Sequence, residues 1–413
     1  MKLFTPLLMY RGLPKDIYFI ALAKFVLGLG NFIIPFIILL LTQKLGYSTT
    51  IAGGLAMGIT ALFLIGSLIG GKIADSFGHK RVMVYGEIAG SLVLIVSGFF
   101  SDWPVMLPVL LFLSYSLYGV SIPASNALVA GISSPNNRSA VMSLSYLAYS
   151  LGSGIGPILA GYLFWNFTAW VFWGNGIASL IAVLIVLFGV SNHIRDHKTS
   201  EIELSELEKA TDGSVWKVFK ERPRLLIFGV LCTFLWFALN QMTITTPLYL
   251  SHIFDKQGPI LYGQLMTFVS ILVVIITPAI IRLTSNLCDI KSLSISGFIF
   301  ALGYSLILFY SSVSMQFIAW FFLAIGEILL LTKESVYLAN HSPSSHRGRI
   351  SGILTTIRHV LLMPTYILIG AYIQSEGYVS TWSLIIIVSL VAGITCWLFS
   401  IQQNSIQQNK VTK

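Results

Sequence analysis

Long apolar runs, separated by short polar segments, follow one another along the whole chain and constrain its fold more than any other feature. Each run is about twenty residues long, which matches the hydrocarbon thickness of a bilayer. Because backbone polar groups inside a bilayer must be satisfied internally, each run is predicted to be a helix. Twelve spans are predicted, at 17–41, 49–71, 82–100, 105–131, 140–163, 169–190, 225–250, 259–282, 293–311, 316–340, 350–374 and 381–401.

The composition and the distribution of charge agree with a membrane protein. Of the 413 residues 55% are hydrophobic and only 10% are charged, whereas a soluble domain carries about 25% charged residues. Twenty of the 25 lysines and arginines fall in the segments on one side of the predicted spans and two on the other. The positive-inside rule therefore predicts a multi-pass protein of the cell membrane with both termini cytoplasmic. The bilayer, rather than a nucleic acid, explains the net charge of +9.

One polar segment is much longer than the other connections, and it predicts the domain organisation. Residues 191–224 are expected to form a cytoplasmic linker, in which "SVWKVFKERPR" has the pattern of an amphipathic helix on the membrane surface. The linker separates two predicted six-helix bundles, at 1–190 and 225–413.

The two predicted bundles are similar to each other in sequence. An offset of 209 places Arg347 on Arg138 and Asn240 on Asn31. Transporters built from repeated halves bind their substrate near mid-membrane, between the halves. The alternative is chance similarity among apolar helices.

The stretch "GGKIADSFGHKR", at 70–81, concentrates charge between two apolar runs. Its residues Gly71, Asp75, Gly78, Lys80 and Arg81 resemble the loop signature of the major facilitator superfamily, G-x-x-x-D-x-x-G-[RK]-[RK]. Over essentially its whole length the chain resembles this superfamily, in its twelve-helix drug:proton antiporter branch. The resemblance implies an all-α membrane fold of two pseudo-symmetric six-helix bundles.

The same resemblance implies a conformational latch at this loop. The carboxylate of Asp75 is expected to accept hydrogen bonds from a helix N-terminus or from Arg138, and so to hold the cytoplasmic gate shut in one state. A solvated basic loop is the alternative, although it does not explain the acid and the two glycines. In the second half "RLTSNLCDIKS" is a degenerate copy, so the main latch is placed in the first half.

A second motif lies in the fifth span, "SLSYLAYSLGSGIGPILAGYLF". Gly152, Gly156, Pro157 and Gly161 resemble the antiporter motif of the drug-efflux branch, with Ser143 in place of one glycine. The fourth span lacks the arginine of that branch and has Tyr115 there, so proton coupling is not carried over from that motif.

Charged residues inside a span are costly and are usually paired or functional. Six are present: Lys24, Glu87, Glu327, Lys333, Glu334 and Arg358. Lys24 and Glu87 lie near the inner surface, and Glu87 is expected to reach it by snorkelling. Glu327 is expected to couple transport to protons. Lys333, Glu334 and Arg358 are expected to form a gate or pairing network, with a purely structural salt-bridge set as the alternative.

The predicted substrate cavity combines aromatic and amide side chains: Asn31, Tyr115, Asn126, Tyr149, Trp236, Asn240 and Gln241. Such a wall suits lipophilic, cationic compounds through stacking and cation–π contacts. Helix packing is the alternative role for each of these residues.

These observations predict a proton-coupled secondary transporter, acting as a monomer without metal or cofactor, that exports amphipathic small molecules. A dedicated transporter of one solute, such as a siderophore, peptide, sugar or lipid, is the alternative. A channel or scaffold is disfavoured by the latch motif, and an enzyme by the lack of a nucleophile beside "HIFD". ATP-driven transport is excluded within this chain, since it has no G-x-x-x-x-G-K-[ST] loop.

Overall fold

The structure is a computed structural model that describes residues 12–132, 138–190, 215–343 and 347–411. The described residues form helices and their connections. The helices of the first part of the chain are α1 Lys15–Leu29, α2 Ile33–Leu39, α3 Thr49–Phe77, α4 His79–Phe99, α5 Met106–Ile132, α6 Arg138–Leu163 and α7 Thr168–Gly189. Those of the second part are α8 Val215–Glu221, α9 Arg224–Asn240, α10 Thr245–Phe254, α11 Gly258–Leu283, α12 Asp289–Phe309, α13 Val313–His341 and α14 Arg347–Val411.

Within the described ranges, nine segments are long and apolar enough to cross a membrane. Two of these segments are long enough to cross a membrane twice. Arg224–Leu283 has 60 residues and is interrupted between its helices, and Ile350–Gln402 has 53 residues. The latter is broken at Gly377, where φ is 76°. The helix α6 adds a further 26-residue apolar segment. The twelve predicted crossings therefore correspond to these segments, and the fold is all-α and membrane-spanning.

The chain divides into two compact units that differ from the predicted domain limits. The first unit comprises Met1–Glu201 together with Leu250–Ile271, and the second comprises Ile202–Tyr249 and Leu272–Lys413. Residues 250–271, which the sequence assigns to the second bundle, therefore pack with the first unit. Close backbone contact explains this: a Cβ added at Gly263 would lie 2.4 Å from the carbonyl oxygen of Pro157.

In the first unit, α1 and α6 pack backbone against backbone. A Cβ added at Gly152 would lie 2.1 Å from the carbonyl oxygen of Phe25, and one added at Gly28 would lie 2.4 Å from that of Tyr149. Only glycine permits this approach, which is the packing mode that small residues give membrane helices. The glycines of the predicted antiporter motif thus lie at a helix contact, and this contact fixes where the α1 and α6 side chains point.

The predicted latch loop is a direct connection between α3 and α4. Gly78 joins the two helices with φ 90° and ψ 135°. Residues other than glycine rarely adopt this backbone conformation. Lys80 then donates hydrogen bonds to the carbonyl oxygens of Val190 (2.6 Å) and Leu187 (3.1 Å). A lysine in this position satisfies the free carbonyls at the C-terminal end of α7 and complements its dipole.

In the second unit, α12 is the central contact between α13 and α14. Ser296 Oγ donates to the carbonyl oxygen of Gly326 at 2.8 Å, and Ser294 Oγ donates to that of Gly393 at 2.7 Å. The ring of Tyr304 stacks on Trp382 with centroids 5.5 Å apart. These contacts hold α13, the helix that carries three of the predicted charged residues.

Candidate functional site

The first unit forms an open cavity of about 430 Å³, lined by residues of α1, α2, α4, α5, α6 and α7. Its wall is mostly apolar, with a smaller number of charged, hydroxyl and amide groups. The polar and aromatic lining residues are Lys24, Asn31, Glu87, Tyr115, Tyr118, Asn126, Ser145, Tyr146, Tyr149, Asn175 and Ser179. Cavities of this size and composition are typical of small-molecule sites.

Four of the predicted substrate-contact residues lie together on this wall: Asn31, Tyr115, Asn126 and Tyr149. Tyr115 is buried and its ring meets that of Tyr118 edge to face, with centroids 6.0 Å apart. Tyr149 is more than a third exposed. The cavity thus has one buried aromatic side and one accessible aromatic side, although a substrate role for these residues stays a prediction.

Glu87 contradicts the expectation that it snorkels to the surface. It is only 5% exposed, and its Oε1 accepts a hydrogen bond of 2.7 Å from Ser121 Oγ. Its other oxygen, Oε2, is buried and has no hydrogen-bond partner. The physical reason is the packing of α4 on α5, because Gly86 and Gly90 let the two helices come close on that face. The small residues beside Glu87 were the sequence signal for a packed face.

Lys24 reaches the same cavity from α1. Its Nζ donates a 3.1 Å hydrogen bond to Ser125 Oγ on α5. The side chain is half-buried and lines the cavity rather than the bilayer surface. The first unit therefore places two opposite charges, from α1 and α4, on one cavity wall.

In the second unit, Glu334 forms a closed network with two partners. Arg358 Nη1 donates to its Oε1 at 2.6 Å, and Trp236 Nε1 donates to its Oε2 at 2.7 Å. The guanidinium of Arg358 also lies 4.1 Å from the centre of the Trp236 ring. These contacts connect α9, α13 and α14, and they use both oxygens of the carboxylate. We call Trp236, Glu334 and Arg358 the indole–carboxylate–guanidinium triad.

Lys333 does not take part in the triad, although the sequence analysis predicted that it forms one pairing network with Glu334 and Arg358. Its Nζ lies 3.7 Å from Asp289 Oδ1 and donates a 3.2 Å hydrogen bond to the carbonyl oxygen of Thr284. Residues 333 and 334 are consecutive, so the helical turn of about 100° per residue points them in different directions. Lys333 therefore connects α13 to the start of α12 and to the loop before it.

Glu327 lies two turns before Glu334 on α13, about 10 Å away along the axis. Its side chain is half-buried. Within the described part of the chain it has no hydrogen bond and no ion pair. The two glutamates therefore differ: Glu334 has both carboxylate oxygens hydrogen-bonded, whereas no hydrogen bond or ion pair joins Glu327 to another described residue.

Two further residues were predicted to line the cavity: Asn240, which is the last residue of α9, and Gln241, which follows it. Gln241 is fully buried, its Nε2 donates to the carbonyl oxygen of Phe237, and its Oε1 accepts from Thr245 Oγ1. Both ends of its amide are thus used in helix packing, so the structure gives Gln241 no access to a cavity. Asn240 is half-buried, and its carbonyl oxygen accepts from Thr243 Oγ1.

The implied pairing of Asp75 with Arg138 lies outside the described side chains. Around it the structure describes the glycine turn at Gly78 and the lysine that binds the end of α7. Arg81 is exposed. Among the described residues there is no group of three or more His, Cys, Asp or Glu side chains that could hold a metal ion.

Comparisons with known proteins agree with this architecture. The profile of the Major Facilitator Superfamily matches residues 20–288. A protein named "Na(+), Li(+), K(+)/H(+) antiporter" from Planococcus maritimus is 22% identical, over 85% of this chain and 91% of its own. An uncharacterized MFS-type transporter, YttB, from Bacillus subtilis is 24% identical over 83% of this chain and 85% of its own.

Solved transporters share the fold at low identity. A POT family transporter crystallised with a thioalcohol-conjugated peptide superimposes with a TM-score of 0.76 at 14% identity, covering 95% of this chain and 99% of its own. The nucleoside transporter NupG gives 0.74 at 13% identity, covering 93% and 98%.

The helical membrane fold and the sequence match together define a multi-pass membrane transporter rather than an enzyme. The chain belongs to the Major Facilitator Superfamily.

Proposed function

We propose that this protein is a proton-coupled secondary transporter that exports amphipathic small molecules by alternating access. The observation that carries the proposal is the contrast between two glutamates on α13. Glu334 has both carboxylate oxygens bonded within the triad. Glu327, two turns away, has no bonded partner among the described residues and stays available for protons.

The energetics of the bilayer favour such a role for Glu327. A charge at mid-membrane costs roughly 2.5–3.5 kcal/mol on insertion scales, so intramembrane carboxyls without a partner mark ion and proton pathways. A carboxyl in this position can carry a proton as a neutral acid and release it where water reaches it. One charge moved through 100 mV is worth about 2.3 kcal/mol, enough for a roughly fifty-fold gradient.

Two other findings support the proposal. The Planococcus maritimus relative is named as an antiporter that exchanges cations for protons, and proton exchange is the property we transfer here. The aromatic and apolar wall of the first-unit cavity suits amphipathic organic molecules.

The proposal includes an arrangement in the cell. The protein acts in the cell membrane as a monomer, with both termini cytoplasmic, without metal or cofactor. The Asp75 loop serves as the latch of the cytoplasmic gate, and replacing Asp75 by Asn slows the change between states.

The test uses inverted membrane vesicles with an imposed pH gradient, followed by a pH-sensitive dye while a panel of amphipathic compounds is added. For the wild type we expect that adding some of these compounds causes protons to leave the vesicles, and that the same compounds accumulate inside them. Glu327→Gln, which mimics the protonated acid permanently, is expected to abolish accumulation while downhill exchange persists.

Glu221→Gln is the matched control, because Glu221 is an exposed glutamate on α8 whose ion pair within the described residues is with Lys217. It is expected to behave as the wild type. Accumulation by Glu327→Gln with wild-type pH dependence would show that the coupling group lies elsewhere.

A further inference from the structure

The cavity of the first unit contains two opposite charges that do not bind each other. Lys24 donates to the neutral hydroxyl of Ser125, and Glu87 accepts from the neutral hydroxyl of Ser121. Both residues lie in the described part of the chain, and no ion pair joins them. The triad of the second unit, where Arg358 contacts Glu334 at 2.6 Å, shows the geometry that a structural pair takes in this protein.

The Glu87 carboxylate is incompletely bonded. Its Oε2 is buried without a partner, in a residue that is only 5% exposed. A buried acceptor left without a hydrogen bond costs about 1–3 kcal/mol, and more when it is charged. Glu87 lines the cavity, so a ligand that carries a hydrogen-bond donor would complete the bonding of this carboxylate.

The remaining wall defines the body of that ligand. Leu27, Ile34, Ile122 and Val129 provide apolar surface. The volume of about 430 Å³ holds a small organic molecule with one apolar or aromatic group. The ring edges and faces of the lining tyrosines supply further contacts for that group.

We propose that this cavity binds a small amphipathic zwitterion, with its ammonium group at Glu87 and its anionic group at Lys24. A simple organic cation, or an alkali cation, would bind Glu87 while leaving the positive charge of Lys24 uncompensated in the same cavity. A simple anion would leave Glu87 uncompensated. A zwitterion satisfies both and leaves no net charge in the cavity.

This inference rests on the proposed transport function, because it names the substrate class, but it is tested by binding without any gradient. The probes are phenylalanyl-alanine in four forms: the free zwitterion, the N-acetylated anion, the amidated cation and the doubly blocked neutral compound. Phenylalanine in the same four forms provides a shorter series. Affinity is measured by calorimetry on the purified full-length protein in nanodiscs.

For the wild type we expect the zwitterion to bind about 10- to 100-fold more tightly than either singly blocked form, the range for a lost charged hydrogen bond. Glu87→Gln is expected to remove the advantage of the free amine, and Lys24→Met that of the free carboxylate. The control Glu221→Gln is expected to keep the full ranking. Thermal unfolding of each variant establishes that it is folded.

Three results would overturn the inference: equal binding of the amidated cation and the zwitterion, a ranking unchanged in Glu87→Gln, or no binding of any form at either length. If the ranking holds and proton-driven accumulation fails, only the proposed coupling is wrong. Where Glu87→Gln does not fold, Ser121→Ala, which removes one hydrogen bond to the same carboxylate, is expected to alter the amine preference alone.

Discussion

The triad of the second unit allows a quantitative test of how its charges stabilise the fold. In Glu334→Gln the charge that faces Arg358 is lost, and an NH2 group replaces one of the two carboxylate oxygens that accept from Arg358 and Trp236. The two charged side chains are only 12% and 13% exposed, so the guanidinium stays buried without a counter-charge. Breaking a buried pair by removing one partner costs about 3–5 kcal/mol. Because the single amide oxygen still accepts from one of these two donors, we expect a loss at the lower end of this range, about 3 kcal/mol.

A double-mutant cycle separates the pair from the effect of each substitution. Arg358→Met keeps an unbranched apolar chain near the Trp236 ring while removing the charge. The double variant Glu334→Gln with Arg358→Met contains no unpaired charge, so it is expected to be more stable than Glu334→Gln alone. The coupling free energy is expected to be about 2 kcal/mol, in the range for contacting residues of one network.

The assay is reversible unfolding of the purified protein in mixed micelles, reported by the fluorescence of tryptophan. Glu221→Gln is the control, since the pair Lys217–Glu221 is separated by 3.9 Å and is more than half exposed. Such a surface pair contributes no more than about 0.5 kcal/mol. A cost for Glu334→Gln equal to that of Glu221→Gln, or a coupling free energy near zero, would refute the reasoning.

Two further predictions concern packing and orientation. Gly152→Ala is expected to destabilise the first unit by about 1–3 kcal/mol in the same unfolding assay, because its Cβ would meet the Phe25 carbonyl oxygen at 2.1 Å. Gly352→Ala is the control, since no atom lies within 4 Å of its added Cβ, and it is expected to be neutral or stabilising; equal effects would contradict the close contact. A cysteine introduced by Thr211→Cys is expected to resist impermeant thiol reagents added outside intact cells and to react in inverted vesicles. Labelling from outside intact cells would contradict the predicted cytoplasmic location of this segment.

The sequence by itself determined the helices and several of their ends. Length and apolarity of each run are local properties, so they predict a membrane helix without knowledge of its neighbours. Local signals also fixed particular ends: Ser48 accepts from the backbone of Ile51 at the start of α3, and Gly78 ends that helix. Four residues that the sequence predicted for the cavity wall, Asn31, Tyr115, Asn126 and Tyr149, line one cavity.

Only the tertiary structure decided which charge meets which partner. Glu87 and Ser121 are 34 residues apart, Lys24 and Ser125 are 101 apart, and Trp236 and Glu334 are 98 apart. A pairing across such separations depends on the rotation and depth of two packed helices, which apolar periodicity does not specify. The sequence analysis therefore predicted wrongly that Glu87 reaches the membrane surface and that Lys333 belongs to one network with Glu334. The packing of α4 on α5, and the turn between adjacent residues of α13, placed them otherwise.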